Sequence, residues 1–156
     1  ALPIFSREEK KQLNTLFFQQ FTQHMSSHKI VGGGGKNWDA YKTGIKGLYF
    51  RILTQPKVTL AIDLEFKDES IRELVYDQFG ELKRILASEW KEEPRFEKNT
   101  VYISGEPISR ISVSLDQVYF YNQEQWPEIM EWLEHKLVGL DSFWDTTGDI
   151  LKDLVR

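Results

Sequence analysis

In "IDLEFKD", Asp63, Glu65 and Lys67 alternate along a segment of strand periodicity, which turns Glu65 and Lys67 to the same face. Acid-x-Lys on a strand is how restriction-type nucleases place a metal-binding carboxylate beside a lysine that activates water. That chemistry also needs a second acid at the end of a preceding strand. The strand before offers only Arg51, and the nearest earlier acid, Asp39, falls in a loop. Cross-strand pairing of Arg51 with Asp63 or Glu65 accounts for the same residues without catalysis.

Two other groupings have ligand-like spacing. His24 and His28 stand at i, i+4, a separation that puts two imidazoles on one helical face. No Glu occupies the H-E-x-x-H position and no third ligand is evident in the sequence, so a surface pair without metal is expected. Gly35-Lys36 closes a run of four glycines and suggests a phosphate loop. The pattern G-x-x-x-x-G-K-[ST] fails, because Ile30 stands where the first glycine belongs and Asn37 where the magnesium-binding hydroxyl belongs. Successive glycine amides can still form an anion nest. No nucleophile elbow, dinucleotide fingerprint or kinase signature is present, and no catalytic residue, metal or cofactor is expected.

The stretch after the glycines interleaves Lys36, Lys42, Lys46 and Arg51 with Trp38, Tyr41, Tyr49 and Phe50. Basic residues between aromatics are suited to holding phosphates and stacking bases. Packing of Phe50, Trp38 and Tyr41 into a core is the structural alternative. Residues 1–57 carry nine Lys or Arg against three acids, whereas residues 58–156 carry eleven against twenty-one. The basic part therefore meets either an external anion or the chain's own acidic remainder.

The elements that position these groups follow from periodicity. Ser6 and Glu9 form a capping box ahead of a helix with Leu13, Leu16, Phe17, Phe21 and Met25 on one face. Residues 26–45 are expected as a loop, mobile at the glycines. Two strands, 46–54 and 58–66, joined at Gln55-Pro56, read as a half-buried antiparallel hairpin. A second helix is expected from Ser70, capped with Glu73, with Ile71, Leu74, Val75, Phe79, Leu82, Ile85, Leu86 and Trp90 inward and Gly80 as a weak point. Strands at about 95–103, 107–115 and 118–122 follow, then a helix from Gln125 that breaks at Thr146–Gly148. The fold class is thus α+β, in the order α-ββ-α-βββ-α. A single antiparallel sheet of about five strands carries its helices mainly on one face. The other face is expected to display Tyr49, Arg51, Asp63, Glu65, Arg110, Ser112, Ser114, Tyr119 and Tyr121.

Length and composition bound the function. At 156 residues, a single domain spanning 1–156 is expected. Cysteine is absent, which excludes disulfides, thiolate metal sites and cysteine nucleophiles. No apolar run reaches the length of a membrane span, and "ALPIFSREEKK" lacks the basic and apolar regions of a signal peptide. A cytoplasmic protein without membrane contact is the expectation.

The segments "NWDAYKTGIKGLYFR", "ESIRELVYDQFGELKRIL", "ISRISVSL" and "WPEIMEWLEHKLVGLDSFWD" together resemble the bacterial family catalogued as domain of unknown function 4268. The resemblance implies either a small stand-alone protein or a module following a restriction-nuclease-like or DNA-associated part. It implies a link to nucleic acid or to defence systems and carries no catalytic residues. Relative to the family pattern, Phe17 or Phe18 stands where Trp is frequent. Lys67 is not a family feature, and Gly32–Gly35 looks like a local insertion. The expected function is a non-enzymatic binding or interaction module, with nucleic acid or a nucleic-acid-processing protein as partner. Its contact residues would be Lys36, Trp38, Tyr41, Lys42, Lys46, Tyr49, Arg51, Arg110, Tyr119 and Tyr121. A homo-oligomer using the open sheet face is the second expectation, and a metal-dependent nuclease the third.

Overall fold

A computed structural model describes residues 4–156; the first three residues of the stretch read against a signal peptide lie outside the described residues. Four strands form one antiparallel sheet: β1 (Leu48–Leu53), β2 (Val58–Leu64), β3 (Arg95–Val101) and β4 (Pro107–Leu115), in spatial order β1-β2-β4-β3. The helices are α1 (Arg7–His24), α2 (Glu69–Glu81), α3 (Lys83–Trp90) and α4 (Trp126–Leu154). The α+β class and the single antiparallel sheet match expectation, with four strands where about five were expected.

The segment 118–122 is the missing strand. Its apolar alternation is real, but its groups are satisfied without a ladder. Trp126 Nε1 donates to the Phe120 carbonyl at 2.6 Å, and the Tyr119 amide donates to the Gln125 side chain at 2.8 Å. Phe120 packs edge-on to Phe17 of α1, at 4.8 Å between centroids. A buried aromatic coil therefore joins α1 to α4 where periodicity suggested an edge strand.

Register fixes the two faces of the sheet. Phe50, Ile62, Ile111 and Phe96 lie in one cross-strand row, with Ile52, Leu60 and Val113 in the next. This face joins Phe17 and Phe21 of α1, Val75 and Phe79 of α2, Leu86 and Trp90 of α3, and the stripe from Ile129 to Leu151 of α4 in one core. The other face sets Tyr49, Asp63, Arg110 and Glu97 in one row, then Arg51, Ala61, Ser112 and Arg95. Pairing of β3 with β4 shifts register between Glu97 and Thr100.

Several helix details depart from the periodic reading. The capping box of Ser6 and Glu9 is present. The cap of α2 is Asp68, whose carboxylate accepts from the Ser70 and Ile71 amides, so the helix begins earlier than a Ser70 cap would allow. The expected second helix is two: a break at Leu82 follows Gly80, and Lys91 ends α3 in the left-handed region at φ 55°. Leu16, Ile71, Leu74 and Ile85, expected inward, are exposed, so the buried stripes are narrower than their apolar content. The helix α4 runs through Thr146–Gly148 without a break. Both threonine hydroxyls bond back to carbonyls four residues earlier, and Gly148 lies against the Trp144 ring.

Candidate functional site

The exposed face of the sheet concentrates ionic groups. Asp63 sits in the central strand β2 with no solvent exposure, yet it is fully paired. Arg110 grips it from β4 with Nε at 2.6 Å from Oδ1 and Nη2 at 2.9 Å from Oδ2. From the other side, Arg51 Nε lies 3.7 Å from Asp63 and donates to Glu65 Oε2 at 2.8 Å, while Arg51 Nη2 donates to Glu65 Oε1 at 3.1 Å. Hydrogen bonding to Glu65 raises the Arg51 pKa, and hydrogen bonding to Asp63 raises that of Arg110, so both guanidiniums are locked cationic. Arg51 also lies 4.7 Å from the Tyr49 ring and 5.3 Å from Tyr102, which the β3–β4 turn brings over the face. A groove of about 570 Å³, lined among others by Arg95, Glu97, Arg110 and Ser112, continues beside this cluster.

This arrangement bears on the acid-x-Lys reading. Both carboxylates are engaged by guanidiniums, and Lys67 is exposed beyond the end of β2. No group of three His, Cys, Asp or Glu among the described residues is set to hold a metal ion. Tyr119 and Tyr121, expected on the same face, are elsewhere. Loss of the fifth strand carries them to the α1 side, where Tyr121 meets Phe5 and Lys10.

The segment from Val31 to Gly47 is a strap laid across α4. The Val31 amide donates to Asp141 Oδ2 at 2.8 Å, and the Gly32 amide to Oδ1 at 2.7 Å. Tyr41 donates its hydroxyl to the same Oδ1 at 2.6 Å. The amides of Val31 and Gly32, only one of them a glycine's, hold a carboxylate of the chain itself, in place of the anion nest that successive glycine amides can form. Burial, reinforced by Asp141, drives the Tyr41 pKa far above the usual phenol value. A Cβ on Gly32 would stand 2.4 Å from the Asp141 carbonyl, and one on Gly33 2.3 Å from the Tyr41 ring. The first two glycines are thus points of close approach, where a mobile tether was expected. Gly34 and Lys42 close the strap with reciprocal backbone bonds of 2.9 and 3.1 Å.

Beyond that closure the strap alternates. Trp38, Tyr41, Thr43 and Ile45 point inward, and Trp144 Nε1 donates to the Thr43 carbonyl at 3.1 Å. Lys36, Lys42 and Lys46 point outward, and none has a carboxylate within ion-pair distance among the described residues. Apart from Tyr49, which lies beside Arg51, and Tyr119 and Tyr121 on the α1 side, the expected contact residues therefore separate into three groups. The lysines are free on the strap, Trp38 and Tyr41 are packed beneath them, and Arg51 and Arg110 are paired on the sheet.

The two histidines also find a partner that spacing does not reveal. Glu134 of α4 places Oε1 2.6 Å from His24 Nε2 and Oε2 2.6 Å from His28 Nε2. The His28 bond, with that of His24, holds the Glu134 carboxyl below its ordinary pKa. Asp141 and Glu134 both escape sequence reasoning because their partners lie a hundred residues or more away. The one available signal is an acid interrupting the apolar stripe of α4, which Asp141 does between Leu140 and Phe143.

No curated protein and no solved structure matches this chain. A family model does: residues 13–147, most of the 156, match the one described as domain of unknown function (DUF4268). This span holds the ionic cluster, the strap and its Asp141 anchor, and the chain belongs to that family.

Proposed function

We propose that this chain is a non-enzymatic binding module that contacts nucleic acid, alone or within a nucleic-acid-processing complex, through the outer side of its strap. One observation carries the reading. The acidic remainder takes up Arg51 and Arg110 but leaves Lys36, Lys42 and Lys46 exposed without carboxylate partners among the described residues. Free ammonium groups on a backbone braced by Asp141 and Gly34 suit phosphate contacts, whose binding falls steeply with salt. Fluorescence anisotropy with labelled single- and double-stranded DNA and RNA at two salt concentrations tests it. Wild type should bind at low salt and a K42E/K46E variant should not; absence of wild-type binding at low salt ends the proposal.

A second reading is self-association through the sheet face. It is favoured by the end of β3 and the turn that follows, which present Val101 at 65% and Ile103 at 97% exposure next to the Tyr49–Arg51–Tyr102 stack. Sedimentation velocity across a concentration series decides it, since a strictly monomeric wild type is incompatible with this use of the face.

A further inference from the structure

The strip of free cations has a member from outside the strap. Gly44 turns the chain at φ +84°, midway between Lys42 and Lys46. A Cβ built there would lie 3.2 Å from Cε and 3.5 Å from Nζ of Lys152, in the last turn of α4. The Lys152 ammonium therefore rests directly over the glycine, between the two strap lysines in sequence. It is half-buried and has no carboxylate within ion-pair distance among the described residues. Its neighbour Asp153 is engaged by Arg156 at 3.1 Å. A lysine whose stem packs on the chain while its ammonium lacks a carboxylate partner leaves that charge open to an external anion.

The aromatics of the strap limit what that anion is. Single strands are held largely by stacking of bases on exposed rings. Here Trp38 is buried with Nε1 on the His28 carbonyl at 3.4 Å, and Tyr41 is buried with its hydroxyl on Asp141. Neither of these two rings is offered for stacking beside the lysines, whereas a duplex presents the denser array of phosphates that bare ammonium groups recognise. The rest of the surface works in the same direction, because twenty-one acids against eleven bases in residues 58–156 repel a polyanion approaching elsewhere.

Building on the nucleic-acid reading above, we infer that the ligand is duplex nucleic acid held by its phosphates without base reading, and that Lys152 is a further phosphate contact between Lys42 and Lys46. The experiment is anisotropy at about 50 and 200 mM salt, using two duplexes of unrelated sequence and their separated strands. The proteins are wild type, K152Q, K42Q and, as a control on an exposed face of α1, K11Q. Each lost phosphate contact flattens the log–log salt dependence by about 0.9. K152Q and K42Q should each show that change and K11Q none. Both duplexes should bind within a few-fold of each other and more tightly than either strand. A K152Q slope equal to wild type, tighter binding of single strands, or a tenfold difference between duplexes overturns this inference while the broader reading stands. Failure of wild type to bind any probe overturns both.

Discussion

Replacing Asp141 by Asn tests the anchoring of the strap most directly. The side chain keeps its shape, and one oxygen can stay at the Oδ1 position to serve the Gly32 amide and the Tyr41 hydroxyl. The other position becomes NH₂ and opposes the Val31 amide, donor against donor, where a 2.8 Å bond had been. An unsatisfied buried donor costs about 1–3 kcal/mol, and the two surviving bonds each lose about 1 kcal/mol in going from charged to neutral acceptor. Water can reach exposed Val31, which favours the lower end, so a loss of about 3 kcal/mol is expected. Against a total stability of about 5–15 kcal/mol, that is a large fraction. Urea titration followed by tryptophan fluorescence should show the midpoint falling by about 1–2 M, with Tyr41→Phe, which removes a single bond, falling by less. Amide exchange at Val31 and Gly32 should accelerate in Asp141→Asn. A variant within about 0.5 kcal/mol of wild type, with exchange at those two amides unchanged, would refute the anchoring argument.

Other perturbations separate the remaining contacts. Gly33→Ala drives a Cβ to 2.3 Å from the Tyr41 ring and should cost about 1–3 kcal/mol, whereas Gly34→Ala, with its nearest neighbour at 3.4 Å, should be close to neutral in the same urea titration. Arg110→Met leaves Asp63 buried and short of its main partner, for a loss of about 3–5 kcal/mol, most of which a second change, Asp63→Leu, should restore. Gly139→Ala sets a Cβ 2.6 Å from the Glu89 carbonyl and should loosen the α3–α4 packing, read as a lower melting temperature. Glu134 has its carboxyl pKa lowered by folding, so its contribution is present above about pH 4.5 and is lost as the pH falls through the lower folded value. Glu134→Gln should therefore be less stable than wild type near pH 6, by up to about 1 kcal/mol, with the difference vanishing in acid.

Elements with a short-range cause were readable in the sequence. The Ser6–Glu9 box, the β1–β2 alternation and the apolar stripe of α4 each follow from residues a few positions apart. The segment 118–122 misled because burial of Phe120 against Phe17 and Trp126 imitates strand alternation, and a strand needs a neighbour that sequence does not supply. Thr146-Thr147-Gly148 misled in the opposite sense, since back-bonded hydroxyls and the Trp144 packing over Gly148 carry a helix through weak formers. At the binding surfaces, residue types were visible and their employment was not. Whether a basic residue is free depends on which acid the fold brings to it. The sheet gives Arg51 to Glu65 and Arg110 to Asp63, whereas Lys42 and Lys46 meet no carboxylate among the described residues.

The register shift in β3 has a consequence for how molecules of this protein meet. An outer strand normally offers an unpaired row of amides and carbonyls on which a second molecule can extend the sheet. Here the shift between Glu97 and Thr100 twists that row out of line, and Arg95 and Lys98 place charges along it. Growth into a continuous sheet across copies is thereby discouraged at this edge. Removing the extra residue and replacing Lys98 with Val would turn the edge into a straighter, less charged row on which a second copy can extend the sheet.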